Sequence, residues 1–190
     1  MTRFRIPHEI LEHDCGCGSA WRWARAGETA LDLGCGSGKT CFLLSQAVGP
    51  AGRVIGIDAS PALIAVAQRG QPALARALGW SNVRFVEAKI DGLDVEPRGA
   101  DLVVLDCVLT FVQERDRPAV LAAAARALRP GGRAIVSDVL RDDLEGIPEA
   151  LAAAGFEPVE VLERSDEILR VIDGVPRRAT TLLCTRSRRQ

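Results

Sequence analysis

The sequence predicts an α/β domain built on a largely parallel sheet, and three observations carry that prediction. Short apolar runs rich in Val, Ile and Leu recur along the chain, and helix-length segments separate them. The first run empties into a loop of alternating glycines, Asp32-Leu-Gly34-Cys-Gly36-Ser-Gly38. Strands alternating with helices pair in parallel, because a crossover is needed to return the chain to the same end of a sheet. Such a sheet is covered by helices on both faces and takes its ligands at the carboxyl ends of the strands.

The elements follow in order. Met1 to Ala26 reads as an extension ahead of the core, with Trp21 and Trp23 placed either to line a lid or to anchor it. The domain is accordingly divided into residues 1–27 and 28–190. The first strand is expected at Thr29–Leu33 and the first long helix from Lys39 to Val48. Gly49-Pro-Ala-Gly52 is a turn, and the second strand covers Arg53–Ile57. Ser60-Pro61 starts the next helix, serine as cap and proline in the first helical position. That helix runs towards Leu78, with Gly70-Gln-Pro72 marking a break. Further strands are expected at Asn82–Val86, Asp101–Leu105 and Arg133–Ser137, with a helix at Arg117–Leu128 closed by Arg129-Pro-Gly-Gly132. Pro148 to Ala154 reads as a helix stopped by Gly155. Glu157–Leu162 and Ala179–Thr185 are the final strands.

Spacing separates the chemistries open to the glycine loop. A dinucleotide fingerprint needs G-x-G-x-x-G, but Lys39 stands where the third glycine belongs. A phosphate-cradling loop needs G-x-x-x-x-G-K-[ST]; Gly38-Lys39-Thr40 fits its end, but Leu33 stands at its first glycine. What remains is a strand, a glycine bend and a helix, with Asp58 ending the next strand where it can accept both hydroxyl protons of a ribose.

Composition narrows the class. At 190 residues, with 47% hydrophobic and 26% charged residues, the chain fits one globular domain. A net charge of −1 argues against a general polyanion binder, despite Arg186, Arg188 and Arg189 near the end. Lys39 and Lys89 are the only lysines. The opening Met1–Pro7 lacks a signal-peptide apolar segment, and no apolar run approaches about 18 residues. A cytoplasmic location is expected, with the six cysteines as thiols. His8, His13, Cys15 and Cys17 form the one metal-like group, but without a second cysteine pair at zinc spacing no metal site is assigned.

The motif Asp32-Leu-Gly-Cys-Gly-Ser-Gly38 with Asp58 resembles the first motifs of class I S-adenosyl-L-methionine (SAM) methyltransferases. The likeness extends to a narrower group related to arsenite methyltransferases. It is carried by Asp14-Cys-Gly-Cys-Gly18, by Leu31 to Gly49, and by Asn82-Val-Arg-Phe-Val86. Asp106-Cys-Val-Leu109, Leu128-Arg-Pro-Gly-Gly-Arg133, Ser137-Asp138 and Leu162-Glu-Arg-Ser165 add to it. The resemblance implies a Rossmann-like seven-stranded sheet, mostly parallel with an antiparallel last strand, helices on both faces, and SAM as methyl donor with S-adenosylhomocysteine as product.

It also implies a site. Asp32, Gly34, Cys35, Gly36 and Gly38 would face the methionine portion, and Asp58 with Ala59 the ribose. Ile90 would pack on adenine, or serve as a core residue. Where many relatives place an acid just before it, this chain has Lys89, and Asp91 follows. Asp106 and Cys107 would meet the transferred methyl group. Asp106 can orient or deprotonate a nucleophile, or cap a strand end; Cys107 can bind a soft acceptor, or be a small buried side chain.

The group holds trivalent arsenic with three cysteines, and only the middle one is matched here, by Cys107. No insertion fits between Asp138 and Pro148, and Glu157 follows Gly155-Phe156. The expected function is therefore methyl transfer to a small molecule, a soft acceptor (arsenite or thiol) ahead of an oxygen or nitrogen acceptor. An open acceptor side leaves room for a second subunit, so a homodimer is one expectation. The alternatives are a non-catalytic SAM-binding module and, disfavoured by Lys39, a nicotinamide-dependent reductase. No nucleic-acid or membrane partner is expected.

Overall fold

A computed structural model describes residues 5–12, 19–90, 99–140, 146–165, 170–172 and 175–187. Helix α1 (His8–Glu12) and a 3-10 turn at Ala20–Trp23 precede the core. Strand β1 (Thr29–Leu33) leads through the glycine loop into α2 (Lys39–Val48), followed by β2 (Arg53–Asp58). Next come α3 (Pro61–Leu78), β3 (Val83–Glu87) and β4 (Ala100–Asp106). Then follow α4 (Arg117–Ala127), β5 (Leu128–Leu140), α5 (Ile147–Ala153) and β6 (Phe156–Arg164). The chain closes with a short β7 (Arg170–Ile172) and β8 (Val175–Arg186).

Seven strands run in the order β3-β2-β1-β4-β5-β8-β6, with β7 pairing β8 off that path. From β3 to β5 every pairing is parallel; β8 alone reverses, lying antiparallel to both β5 and β6. Because chain order reverses between β1 and β4, the connections leaving their carboxyl ends diverge and open a crevice there.

The period-two alternation of each strand divides the core between the two faces. Leu31 and Leu33 pack with Ile55, Val103, Leu105 and Leu121 on one side. Ala30 packs with Val54, Leu102, Val104, Phe42 and Phe85 on the other. Asp32, between Leu31 and Leu33, therefore falls on the side covered by α2 and α3.

Three expectations are corrected. Helix α3 runs unbroken through Gly70-Gln-Pro72, with Ser60 Oγ accepting from Leu63 N at its start and Gly79 closing it at φ 83°. Gly70 lets Ile10 and Phe42 approach so closely that a Cβ would lie 3.0–3.2 Å from them. Pro72 sits on the exposed side, where its missing amide costs least, and packing of Ile64, Ala67 and Leu74 holds the helix together. Second, the residues expected to close α4 belong to β5, because Leu128 already pairs with Ala100 ahead of an irregularity in register. Third, β7 was not foreseen.

The amino-terminal residues are fastened at several points. Ile10 is buried in the α2/α3 side of the core, and Glu9 pairs with Arg69 at 2.7 Å. Arg22 meets Glu163 of β6 at 2.8 Å. Arg133 binds Glu28 at 2.6 Å and the carbonyl of Trp23 at 2.6 Å, an ion pair largely removed from water. Among the described residues, no helix is long and apolar enough to cross a membrane.

Candidate active site

A cavity of about 670 Å³ opens at the carboxyl ends of β1, β2, β3 and β4. Its floor is the glycine loop, where Gly34, Gly36 and Gly38 take φ values of 79°, 53° and 89°. Gly34 is needed for two reasons: its φ is left-handed, and a Cβ there would sit 2.6 Å from Val108 Cγ2. The loop after β4 thus packs directly on the loop after β1.

The loop amides are already engaged. Gly34 N and Cys35 N donate to Ile57 O at 2.7 and 2.9 Å, and Gly38 N donates to Cys35 O at 2.9 Å. Gly36 N donates to Asp58 Oδ2 at 2.9 Å. A phosphate cradle needs such amides free and unopposed by carboxylates. This loop offers the reverse, a ring of carboxylates suited to a cation or to hydroxyl donors.

Three carboxylates converge from three strands: Asp32 from β1, Asp58 from β2 and Asp106 from β4. Asp58 also accepts from Ser60 N at 2.8 Å, so it shapes the start of α3 as well as the loop. Asp106 accepts from Thr40 Oγ1 at 2.9 Å. Asp32 is only 1% exposed and accepts from the thiol of Cys41 at 3.2 Å. Burial pushes its carboxyl up to about 7, against the Cys41 hydrogen bond, and the charges of Asp106 and Asp58 push it the same way as burial.

The β4 side of the cavity is more apolar. Val108, Phe111, Val112 and Val120 line it, and Phe111 is 66% exposed. This segment is tied down from β5. Asp138, fully buried, accepts from Leu109 N at 2.7 Å, Thr110 N at 3.2 Å and the Thr110 hydroxyl. Cys107 takes φ 57°, rare for a residue with a side chain, while its amide donates to Ser137 O at 2.7 Å. Its sulfur is held in a disulfide, which corrects the expectation that all six cysteines are thiols; Cys35, Cys41 and Cys184 are free.

Of the residues singled out in the sequence, Asp32, Gly34, Cys35, Gly36, Asp58, Ala59, Lys89, Ile90, Asp106 and Cys107 all line this one cavity. Gly38 does not: it turns the chain into α2, with Phe85 filling the space a side chain would need. Asp91, His13, Cys15 and Cys17 lie outside the described residues. Sequence reasoning missed Thr40, Val108, Phe111 and Asp138. Thr40 had a signal in its place just after the loop, and Phe111 in being a lone aromatic following a strand end. Asp138 was marked only by the Ser137-Asp138 likeness, and its role stayed hidden because its partners lie 28 and 29 residues away.

A family model described as a methyltransferase domain matches residues 24–171. The arsenite methyltransferase of Halobacterium salinarum is 36% identical over 174 residues, 80% of this chain and 43% of that protein. The 2-phytyl-1,4-naphtoquinone methyltransferase of Synechococcus elongatus is 38% identical over 125 residues, 64% of this chain and 50% of its own. The chain therefore spans half or less of these curated relatives. The crystal structure of an arsenic(III) S-adenosylmethionine methyltransferase from Chlamydomonas reinhardtii superposes with a TM-score of 0.85. It is 28% identical, and the match covers 97% of this chain and 72% of that one.

Proposed function

The chain belongs to the methyltransferase-domain family, in its class I SAM-dependent branch related to the arsenite methyltransferases, and from that premise we propose that it is an enzyme moving a methyl group onto a small soft acceptor, trivalent arsenic or a thiol. One observation supports this most: Cys107 stands beside Asp106 in the wall of a carboxylate-lined cavity, on the β4 side of the reversal in strand order.

The residues present fit the family's cofactor. A Cβ at Gly34 would collide with Val108 in the cavity wall, the loop amides are occupied rather than open to phosphate, and the Asp58 carboxylate lines the same cavity. When bound, SAM supplies a methyl group on a sulfonium, transferred by in-line displacement. The chain's part is to hold donor and acceptor aligned in a site poor in water. Asp32 supplies negative charge near the cation. Asp58 holds the ribose, and Ile90 with Leu63 gives the base an apolar wall. Asp106 orients the acceptor or takes its proton, and Cys107 holds a soft acceptor once its disulfide is reduced. Residues 1–27 act as a lid, and a second subunit completes the acceptor side.

A second reading, an organic acceptor methylated on oxygen, nitrogen or carbon, draws on Phe111, whose exposed ring and the neighbouring Val112 suit an apolar body. Mass spectrometry decides between the two. The protein is incubated with SAM and glutathione, and with either arsenite or a panel of thiols and phenols. Methylated arsenic or thioether in the wild type, lost in Cys107→Ser with SAM affinity retained, supports the first reading. Products from phenols alone, undiminished in Cys107→Ser, replace it with the second. SAM binding without turnover on any acceptor leaves a cofactor-binding module.

A further inference from the structure

We propose that Cys41 is a positioning residue of the cofactor site, its thiol fixing the Asp32 carboxylate in the orientation from which it attracts the cationic donor. The proposal rests on reading the cavity as a SAM site.

The geometry begins with the strand register. Asp32 on β1 pairs with Gly56 on β2. A Cβ on Gly56 would come within 2.6 Å of Cys41 Sγ and 2.9 Å of Cys35 Sγ. The second strand therefore leaves a space beside Asp32 that two sulfur atoms fill. Cys41 enters it from the first turn of α2 and is wholly buried; Cys35 enters it from the glycine loop and also lines the cavity. Cys35 donates its thiol to Gly36 O at 3.8 Å, and Cys41 donates its own to Asp32 Oδ2 at 3.2 Å.

A thiol is a weak donor. It holds the carboxylate in place but does not neutralise it, as an arginine would. The charge stays available to whatever fills the cavity. The groups around Asp32 reinforce this: Asp58 on β2 and Asp106 on β4 are acidic, while Lys39 and Lys89 reach the same cavity from α2 and from the segment after β3. Burial pushes the Cys41 thiol well above its ordinary value, so it remains a proton donor throughout the neutral range. Asp32, pushed up to about 7 chiefly by burial, changes charge within that range. Binding a cation favours the ionised form, so affinity for SAM climbs as pH rises through neutrality. S-adenosylhomocysteine, whose sulfur is neutral, responds less.

Calorimetry of SAM and S-adenosylhomocysteine from about pH 6 to about pH 9 tests this in the wild type, Cys41→Ala and Cys41→Ser. Losing the donor raises the Asp32 midpoint by roughly one pH unit and weakens SAM binding about three- to tenfold near pH 7. Affinity then recovers at high pH. The hydroxyl of the serine variant restores the wild-type profile. The carboxyl 13C shift of Asp32, followed in the unliganded proteins, reports the same midpoint without any ligand. Identical midpoints in wild type and Cys41→Ala, or a serine variant no closer to wild type than the alanine variant, would overturn the proposal. Failure of the unsubstituted protein to bind SAM at any pH would overturn the cofactor reading, and is seen in the first titration. An alanine variant that unfolds leaves the serine variant and the 13C titration to decide.

Discussion

Thr40 donates its hydroxyl to Asp106 across 2.9 Å, joining the first turn of α2 to the carboxyl end of β4. Both residues are buried and both line the cavity, so one bond ties its two halves together. Thr40→Val keeps the shape and removes the donor, leaving a buried carboxylate short of a partner at a cost of about 1–3 kcal/mol. The expected result is a lower urea midpoint with an unchanged m-value, reversed in Thr40→Ser. A valine variant as stable as wild type would show that the bond carries no weight.

Asp58 stands at the point where the glycine loop, the start of α3 and the cavity meet. Asp58→Ala is expected to weaken SAM binding at least tenfold, through loss of charge-assisted hydrogen bonds worth roughly 1.5–3 kcal/mol. Calorimetry reads this directly. Unchanged affinity would place the ribose elsewhere.

Asp32 ties stability to pH. Burial raises its folded value to about 7, above the ordinary 3.8. The folded protein then keeps a proton that the unfolded chain has lost, so stability falls as pH rises between those two values. The loss, up to about 4 kcal/mol, stays in force above them. Asp32→Asn removes the titration, so the unliganded variant should melt higher than wild type near pH 8, with the gap closing as pH falls towards 4. Melting curves at the two ends of that range check it; a gap that does not depend on pH would assign the effect to packing.

Asp138 receives two amides and a hydroxyl from the segment after β4. Asp138→Ala strands those donors, and a loss of roughly 3–5 kcal/mol is expected, as for other broken buried networks. In any folded fraction, KM for the acceptor should rise more than the dissociation constant for SAM. The Asp138 bonds hold the Cys107–Phe111 side of the cavity and not the glycine loop. Equal changes in both would show that the clamp serves the whole crevice.

Much of the architecture was legible because it is local. Thr29–Leu33 and Lys39–Val48 declare themselves through apolar runs and a glycine boundary, and both elements have the expected bounds. Asp58 was found because it ends a strand, and Asp32 because it leads the glycine motif. What stayed hidden is what depends on packing between distant segments. Nothing near Gly56 announces that its bareness makes room for Cys41 and Cys35. Nothing near Pro72 announces that Ile10 and Phe42 press on Gly70 two residues earlier and keep the helix whole. The disulfide at Cys107 belongs to the same class, since composition alone pointed to thiols.

The pairing of Arg22 with Glu163 spans 141 positions of chain. A ribosome adding about 5–20 residues per second needs on the order of ten seconds to make that stretch. Throughout that interval Arg22 lacks this acidic partner, although Ile10 and Glu9 can already settle against α2 and α3. The anchors of this one segment therefore mature at different times, the tie to β6 last.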